Sequence, residues 1–160
     1  MSARKSISFD DMVRLPRTMS KNLVKEMERA TKQIAKVLLA TANQQTASAG
    51  IKDTGLYAKS WKVVEFGRSA QLVNTAPYAG VIEVGAVYRG KGPPVSKIIP
   101  WVRRKLPGVL PQERKRVAFA VARKIKRTGL PGYLILQNTL EAAQPQIDAI
   151  LQAAVAKGVK

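Results

Sequence analysis

The spacing of apolar residues along the chain changes twice. From Pro16 to about Ala47, Met19, Leu23, Met27, Ala30, Ile34, Leu38 and Ala42 recur at three- and four-residue steps, which places them on one helix face. Lys21, Lys25, Glu28, Arg29, Lys32 and Lys36 fall mostly off that stripe. A helix of this length would run about 48 Å at 1.5 Å per residue. The pattern therefore predicts fraying near Gln44-Gln45-Thr46 or an end that leaves the domain. Ala47-Ser48-Ala49-Gly50 is a small-residue stop. The character then changes to strand. Lys59 to Phe66 carries Trp61, Val63, Val64 and Phe66, β-branched and aromatic residues that suit a half-buried strand. Gly67-Arg68-Ser69 is a turn signal, and Gln71 to Asn74 returns through Leu72 and Val73. Pro77 can open a short helix, since the first turn has no use for its missing N–H. Tyr78, Val81 and Ile82 then form an apolar stripe at i, i+3 and i+4, and Gly85 ends the helix.

After Ala86 the helical period resumes, broken by glycine and proline. Val87 to Pro94 reads as a loop. Its Arg89-Gly90-Lys91-Gly92 is glycine-rich but lacks the spacing of a P-loop. Pro100 opens a helix to Leu106 in which Trp101 is read as a core anchor, and Pro107-Gly108 stops it. A second helix spans about Pro111 to Arg127. At 100° per residue, Val117, Ala118, Val121, Ala122 and Ile125 share one face, with Arg116, Arg123, Lys126 and Arg127 opposite and Phe119 among them. Tyr133 to Leu136 is a short buried strand or a helix start; four residues do not decide. A last helix takes Leu140 to about Ala156, beginning or kinking at Pro145. Residues 1–15 are polar and basic, dotted with Ile7, Phe9, Met12, Val13 and Leu15. They read as an arm that docks on another subunit or folds back on its own domain. The expected architecture is α+β: a small antiparallel sheet packed by long N-terminal and C-terminal helices, with a basic helical insertion over about residues 95–127. Residues 16–160 form one domain, long enough to bury about two-thirds of its unfolded surface.

Composition narrows the chemistry. The chain has no cysteine and no histidine, which excludes disulfides, thiolate metal sites, Ser-His-Asp and Cys-His catalysis and the usual zinc sites. The ten acids offer only Asp10-Asp11 and Glu26-x-Glu28 as close pairs, and i, i+2 positions on a helix diverge. No catalytic residue, metal or cofactor is expected, and an enzyme is disfavoured. No apolar run is long enough to span a membrane, and no secretory signal is expected. The net charge of +18 points to a polyanion such as DNA or to an acidic protein surface. It is concentrated. Between Ala86 and Arg127 stand thirteen lysines and arginines against the single acid Glu113. Arg89, Lys91, Arg103, Arg104, Arg116, Arg123, Lys126 and Arg127 are the candidates for contact with DNA phosphates or an acidic partner.

Glu83 stands out. A carboxylate in the last turn of a short helix opposes the helix dipole, so it is read as paired with a lysine or arginine, either of its own chain or of a neighbouring subunit. A two-strand hairpin also leaves an edge to be paired or covered. Tyr78, Ile82 and Glu83, with Phe119 of the insertion, are therefore the candidate subunit contacts.

Asp53-Thr54-Gly55 before a strand, then Pro77-Tyr78-Ala79 and Val81-Ile82-Glu83-Val84-Gly85, resembles the phage neck and tail-completion family of head–tail joining proteins. Leu56 follows Gly55 directly, a one-residue departure from the family's spacing, with Ser60 in the expected region. Pro131-Gly132-Tyr133-Leu134 and Asn138-Thr139-Leu140 form a looser version of its closing motif. The resemblance covers roughly residues 15–156. It implies a structural virion protein that forms a ring, commonly of six, around the DNA channel. The implied partners are further copies of itself and other neck, portal-adaptor, tail-terminator or tail-tube proteins; nonspecific phosphate contact with genomic DNA, or contact with an acidic protein, is what the charge of the insertion suggests. The rival reading is a free-standing basic DNA-binding module, but no helix-turn-helix, zinc finger or aromatic platform is present, and aromatics make up only 6%.

Overall fold

The computed structural model describes residues 21–51 and 53–159; the arm expected over residues 1–15 and the helix start at Pro16 lie outside them. The elements are α1 (Lys21–Ser48), α2 (Leu56–Lys59), β1 (Trp61–Phe66), β2 (Ser69–Asn74), α3 (Ala79–Val84), α4 (Val95–Lys105), a 3-10 turn (Pro111–Glu113), α5 (Arg114–Thr128) and α6 (Ile135–Gly158). The fold is α+β, with the two long helices packed on a two-strand antiparallel sheet.

α1 and α6 lie antiparallel. Leu23 packs on Gly158, Met27 and Ala30 meet Ala154, Ile34 and Leu38 meet Ala143 and Ile147, and Ala42 reaches Ile135. Alanines at Ala30, Ala42, Ala143 and Ala154 keep the seam thin, so the larger side chains between them interlock. α1 does not fray at Gln44-Gln45-Thr46. Thr46 is 1% exposed; its hydroxyl donates to the Ala42 carbonyl and accepts the Trp61 indole N–H at 2.9 Å. That long-range bond holds the last turn to Ser48.

The hairpin lies along α1. Trp61 pairs with Asn74 and Val63 with Leu72, so alternation puts Trp61, Val63 and Leu72 on the helix side. Lys62, Val64, Phe66 and Val73 face away. Ion pairs Arg68–Glu28 at 2.7 Å and Lys32–Glu65 at 3.6 Å fasten the tip to α1.

Three expectations are corrected. α4 starts at Val95, with Pro94 at its cap and Pro100 inside it. Trp101 is 36% exposed and outside every core cluster of described residues; Ile98 and Val102 are the buried positions of that helix. Trp61 is the anchoring tryptophan, packed edge-on against Tyr57 with centroids 5.6 Å apart. α6 begins at Ile135, ahead of Leu140, and runs through Pro145, which is exposed.

The insertion is a helical hairpin with a core of its own. Ile98 and Val102 of α4 pack on Ala118 and Ala122 of α5, with Val95, Val109, Val121 and Ile125 around them. The clusters of the main body interconnect through Leu72, Ile150 and Leu151. None of these side chains belongs to the insertion's cluster. The insertion joins the body through the Ala86–Leu130 bridge and a two-bond ion pair. In that pair Arg104 donates to both oxygens of Asp53, at 2.9 and 2.5 Å. The Arg104 hydrogen bond holds the Asp53 carboxyl below the usual carboxylate range, and Asp53 in turn raises Arg104.

Candidate functional site

The residues singled out between Asp53 and Ala86 converge on one joint, where α2, the base of the hairpin, α3 and the start of α6 meet. Asn74, the last residue of β2, organises the approach. Its amide nitrogen donates to the Tyr57 carbonyl at 2.9 Å and its oxygen accepts the Ala76 N–H at 3.0 Å, an Asx turn that leads the chain through Pro77 into α3.

Glu83 sits at the centre, 6% exposed. One carboxylate oxygen accepts the Tyr57 hydroxyl at 2.8 Å and the other the Leu136 backbone N–H at 3.0 Å. The expected lysine or arginine partner is replaced by a phenol and an amide. The dipole conflict is resolved by geometry. The carboxylate lies at the C-terminal end of the six-residue α3 but also at the N-terminus of the 24-residue α6, where unpaired N–H groups favour a negative charge. Burial, and then Glu83, raise the Tyr57 pKa above its ordinary value, so the phenol stays a donor.

The segment before α6 is laid directly on α3. The Tyr133 N–H donates to the Ile82 carbonyl at 2.8 Å and the Leu134 N–H to the Glu83 carbonyl at 3.1 Å, while Ala86 and Leu130 exchange both backbone bonds. Leu134 takes φ +50, the one non-glycine residue with positive φ among those described. Close approach requires Gly85 and Gly132. A Cβ on Gly85, at φ +76, would lie 2.3 Å from the Leu130 carbonyl oxygen, and one on Gly132 would lie 2.6 Å from the Glu83 carbonyl oxygen.

Around this buried centre the surface is apolar. The predicted stripe of α3 is turned outward: Tyr78 is 39% and Val81 38% exposed, while Ala79 and Ile82 pack on the core. Val84 (71%), Val87 (84%), Tyr133 and Leu134 extend the outward face. On the other side of α3 lies a groove of about 520 Å³ lined by Val64, Phe66, Val73, Ala79 and Gly80, with Glu83 among its walls.

The remaining candidates stand elsewhere. Arg103 and Arg104 are exposed on α4; Arg116, Phe119, Arg123, Lys126 and Arg127 are exposed on α5. The loop bearing Arg89 and Lys91 is folded against α5, since a Cβ on Gly92 would touch Lys126. Sequence reading missed Tyr57, Asn74 and the Thr46–Trp61 bond. Only the Asn74-Thr75-Ala76-Pro77 turn chemistry was open to it. Among the described residues no cluster of acidic side chains could hold a metal ion, and no helix is long and apolar enough to cross a membrane.

Residues 11–85 match the family described as "Bacteriophage HK97-gp10, putative tail-component". Over that stretch, a little under half of its length, the chain is similar to the HK97-gp10-like family. The match takes in α1, the hairpin and α3 and ends at Gly85, the glycine of the joint. The basic insertion and α6 lie beyond it, as do the Pro131–Leu134 and Asn138–Leu140 motifs. Neither a curated protein nor a solved structure is found to match the chain. The match is consistent with a bacteriophage tail component.

Proposed function

We propose that this chain is a head–tail joining component of a tailed phage virion, of the neck or tail-completion kind. Copies close into a ring around the DNA channel through the joint at α3. The observation that carries this reading is an apolar outward face, Tyr78, Val81, Val84, Val87, Tyr133 and Leu134, on a frame fixed from within by Glu83. Exposed apolar patches of this kind mark protein contacts. A ring built head to tail needs two unlike surfaces on every subunit. α3 carries both, the apolar face on one side and the groove at Val64, Phe66 and Val73 on the other. The occupant proposed for the groove is the outward α3 face of the next copy. Six copies is the number the family resemblance implies. The further partners would be neck, portal-adaptor, tail-terminator or tail-tube proteins. In this reading Glu83 acts by holding the contact in shape, and Tyr78 and Ile82 lie at or beneath it.

The test is a double substitution, Val84→Asp with Tyr133→Asp. Both side chains are exposed, so the thermal transition should stay within the small change usual for surface sites, about 0.5 kcal/mol each. Assembly, followed by light scattering and electron microscopy, should be lost. Rings formed by the double variant as readily as by the parent would refute the contact.

The arm is tested separately. α1 from Lys21 onward has its own packed seam against α6, so removing residues 1–12 should leave cooperative unfolding in place while weakening incorporation into particles. Loss of the cooperative transition would instead put the arm in the core.

A further inference from the structure

We infer that the α4–α5 hairpin is a binding site for double-stranded DNA, held through its phosphates without regard to sequence. The inference stands on charge and placement and does not depend on the ring.

Thirteen of the chain's 28 basic residues lie between Ala86 and Arg127, against the single acid Glu113. An appendage with a separate core does not need that charge to fold, and the mutual repulsion opposes folding. Arg104 is spent on Asp53, whose carboxylate also feels Lys105. Arg116, Arg123 and Arg127 are exposed on the outer face of α5. At 1.5 Å per residue they stand about 10 Å and 6 Å apart along the helix. Duplex DNA carries one charge per about 1.7 Å of its axis, so a row of this length spans several phosphates. The loop at Arg89 and Lys91, folded against Lys126, widens the same basic surface.

The proportions of the face favour a polyanion over an acidic protein. A specific protein interface buries an apolar centre and keeps charge at its rim. On α5 the exposed large apolar side chain is Phe119, which stands in sequence among Lys115, Arg116 and Arg123. Phosphate contacts position a protein on DNA without reading bases, which suits a face with no base-reading constellation.

The experiment is fluorescence anisotropy of the full-length protein with two 30-base-pair duplexes of unrelated sequence, from 50 to 200 mM salt. Both duplexes should bind with the same affinity. If six phosphates are engaged, affinity should fall roughly a thousandfold over that range. Reversing Arg116, Arg123 and Arg127 together to glutamate should weaken binding roughly 100-fold or more at 100 mM salt and lower the salt slope by about 2.7, or 0.9 per phosphate. A second triple, Lys25→Glu, Lys36→Glu and Lys59→Glu, changes the net charge equally but lies on α1 and α2. It should cost less than about tenfold, since screening over about 10 Å limits distant charges. Circular dichroism checks that both variants remain folded. Equal losses in the two triples would show only the field of the whole molecule and overturn the site. So would tighter binding of polyglutamate or of anionic lipid vesicles than of duplex at matched charge. Binding to one duplex alone would overturn the sequence-independent mode.

Discussion

Replacing Glu83 by alanine is expected to destabilise the isolated subunit by about 3–4 kcal/mol, because it strands the Tyr57 hydroxyl and the Leu136 N–H, each costing about 1–3 kcal/mol when buried without a partner. For a chain of this size that is a fall of roughly 10 °C in melting temperature. Glu83→Gln keeps one acceptor oxygen and should cost less than half as much. Glu83→Lys should be the worst of the three, since it buries an ammonium against the N-terminal end of α6 where a negative charge belongs. The effect is on folding, and assembly follows from it. Tyr57→Phe should cost about 1–2 kcal/mol, and a cycle with Glu83→Ala should show strong coupling. The phenol adds a pH signature. Its pKa is raised in the folded state by burial and by Glu83. The stability it supplies is therefore fully present below the ordinary tyrosine pKa near 10 and is lost as pH rises beyond it. The gap between the parent and Tyr57→Phe should narrow above about pH 10. Urea unfolding at pH 7 and pH 11 measures both effects. A Glu83→Ala protein that melts within 2 °C of the parent would mean the carboxylate is not what holds the joint.

How far the sequence revealed this arrangement depends on the range of the interactions. Period alone shows α1, the hairpin with its Gly67-Arg68 turn, and the two faces of α5, because each is written in residues a few positions apart. The joint is not written that way. Glu83 finds Tyr57 at a separation of 26 residues and Leu136 at 53. A carboxylate that looks misplaced on its own helix is well placed on another. Its oddness was legible, but its partners were not. The same limit moved the α3 stripe. Tyr78 and Val81 have the spacing of a buried face, yet Ile82 and Glu83 point inward because Tyr133 and Leu134 lie along the helix's end. Trp101 and Trp61 are indistinguishable by residue type. Trp61 is buried because Thr46 offers its indole a partner and Tyr57 an edge. α4 has no such partner for Trp101 among the described residues.

The family match ends where the insertion begins, and this gives the joint a second role in the fold. The chain leaves α3 at Gly85, makes the basic hairpin, and returns at Leu130 to lie on the strand of backbone it left. The insertion is thus closed off at its root by the Ala86–Leu130 bonds and steadied by Asp53 and Arg104. It can carry a dense positive charge at a distance from the α1–α6 seam, whose packing owes nothing to it.

Gly132→Ala is the sharpest probe of that closure, with an expected loss of about 3 kcal/mol or more. A single methyl would enter within 2.6 Å of the Glu83 carbonyl oxygen, 2.7 Å of the Val84 carbonyl carbon and 2.9 Å of the Gly85 nitrogen. All three are backbone atoms, so no side chain can swing aside. Relief requires lifting residues 131–134 off α3. That breaks the Tyr133–Ile82 and Leu134–Glu83 bonds and leaves Leu134 in a left-handed conformation with nothing to hold it there, a strain of about 1–3 kcal/mol by itself. Hydrogen exchange should localise the damage, with amides 130–136 losing protection while those in the α1 half of the seam keep theirs. Gly108→Ala is the control. Nothing lies within 4 Å of its added methyl and its φ is not positive, so it should be neutral or slightly stabilising through the unfolded chain. If Gly132→Ala proves as harmless as Gly108→Ala, the return segment does not press on α3 as closely as described. The outward face at Val84, Tyr133 and Leu134 would then lack the rigid support that the proposed ring contact needs.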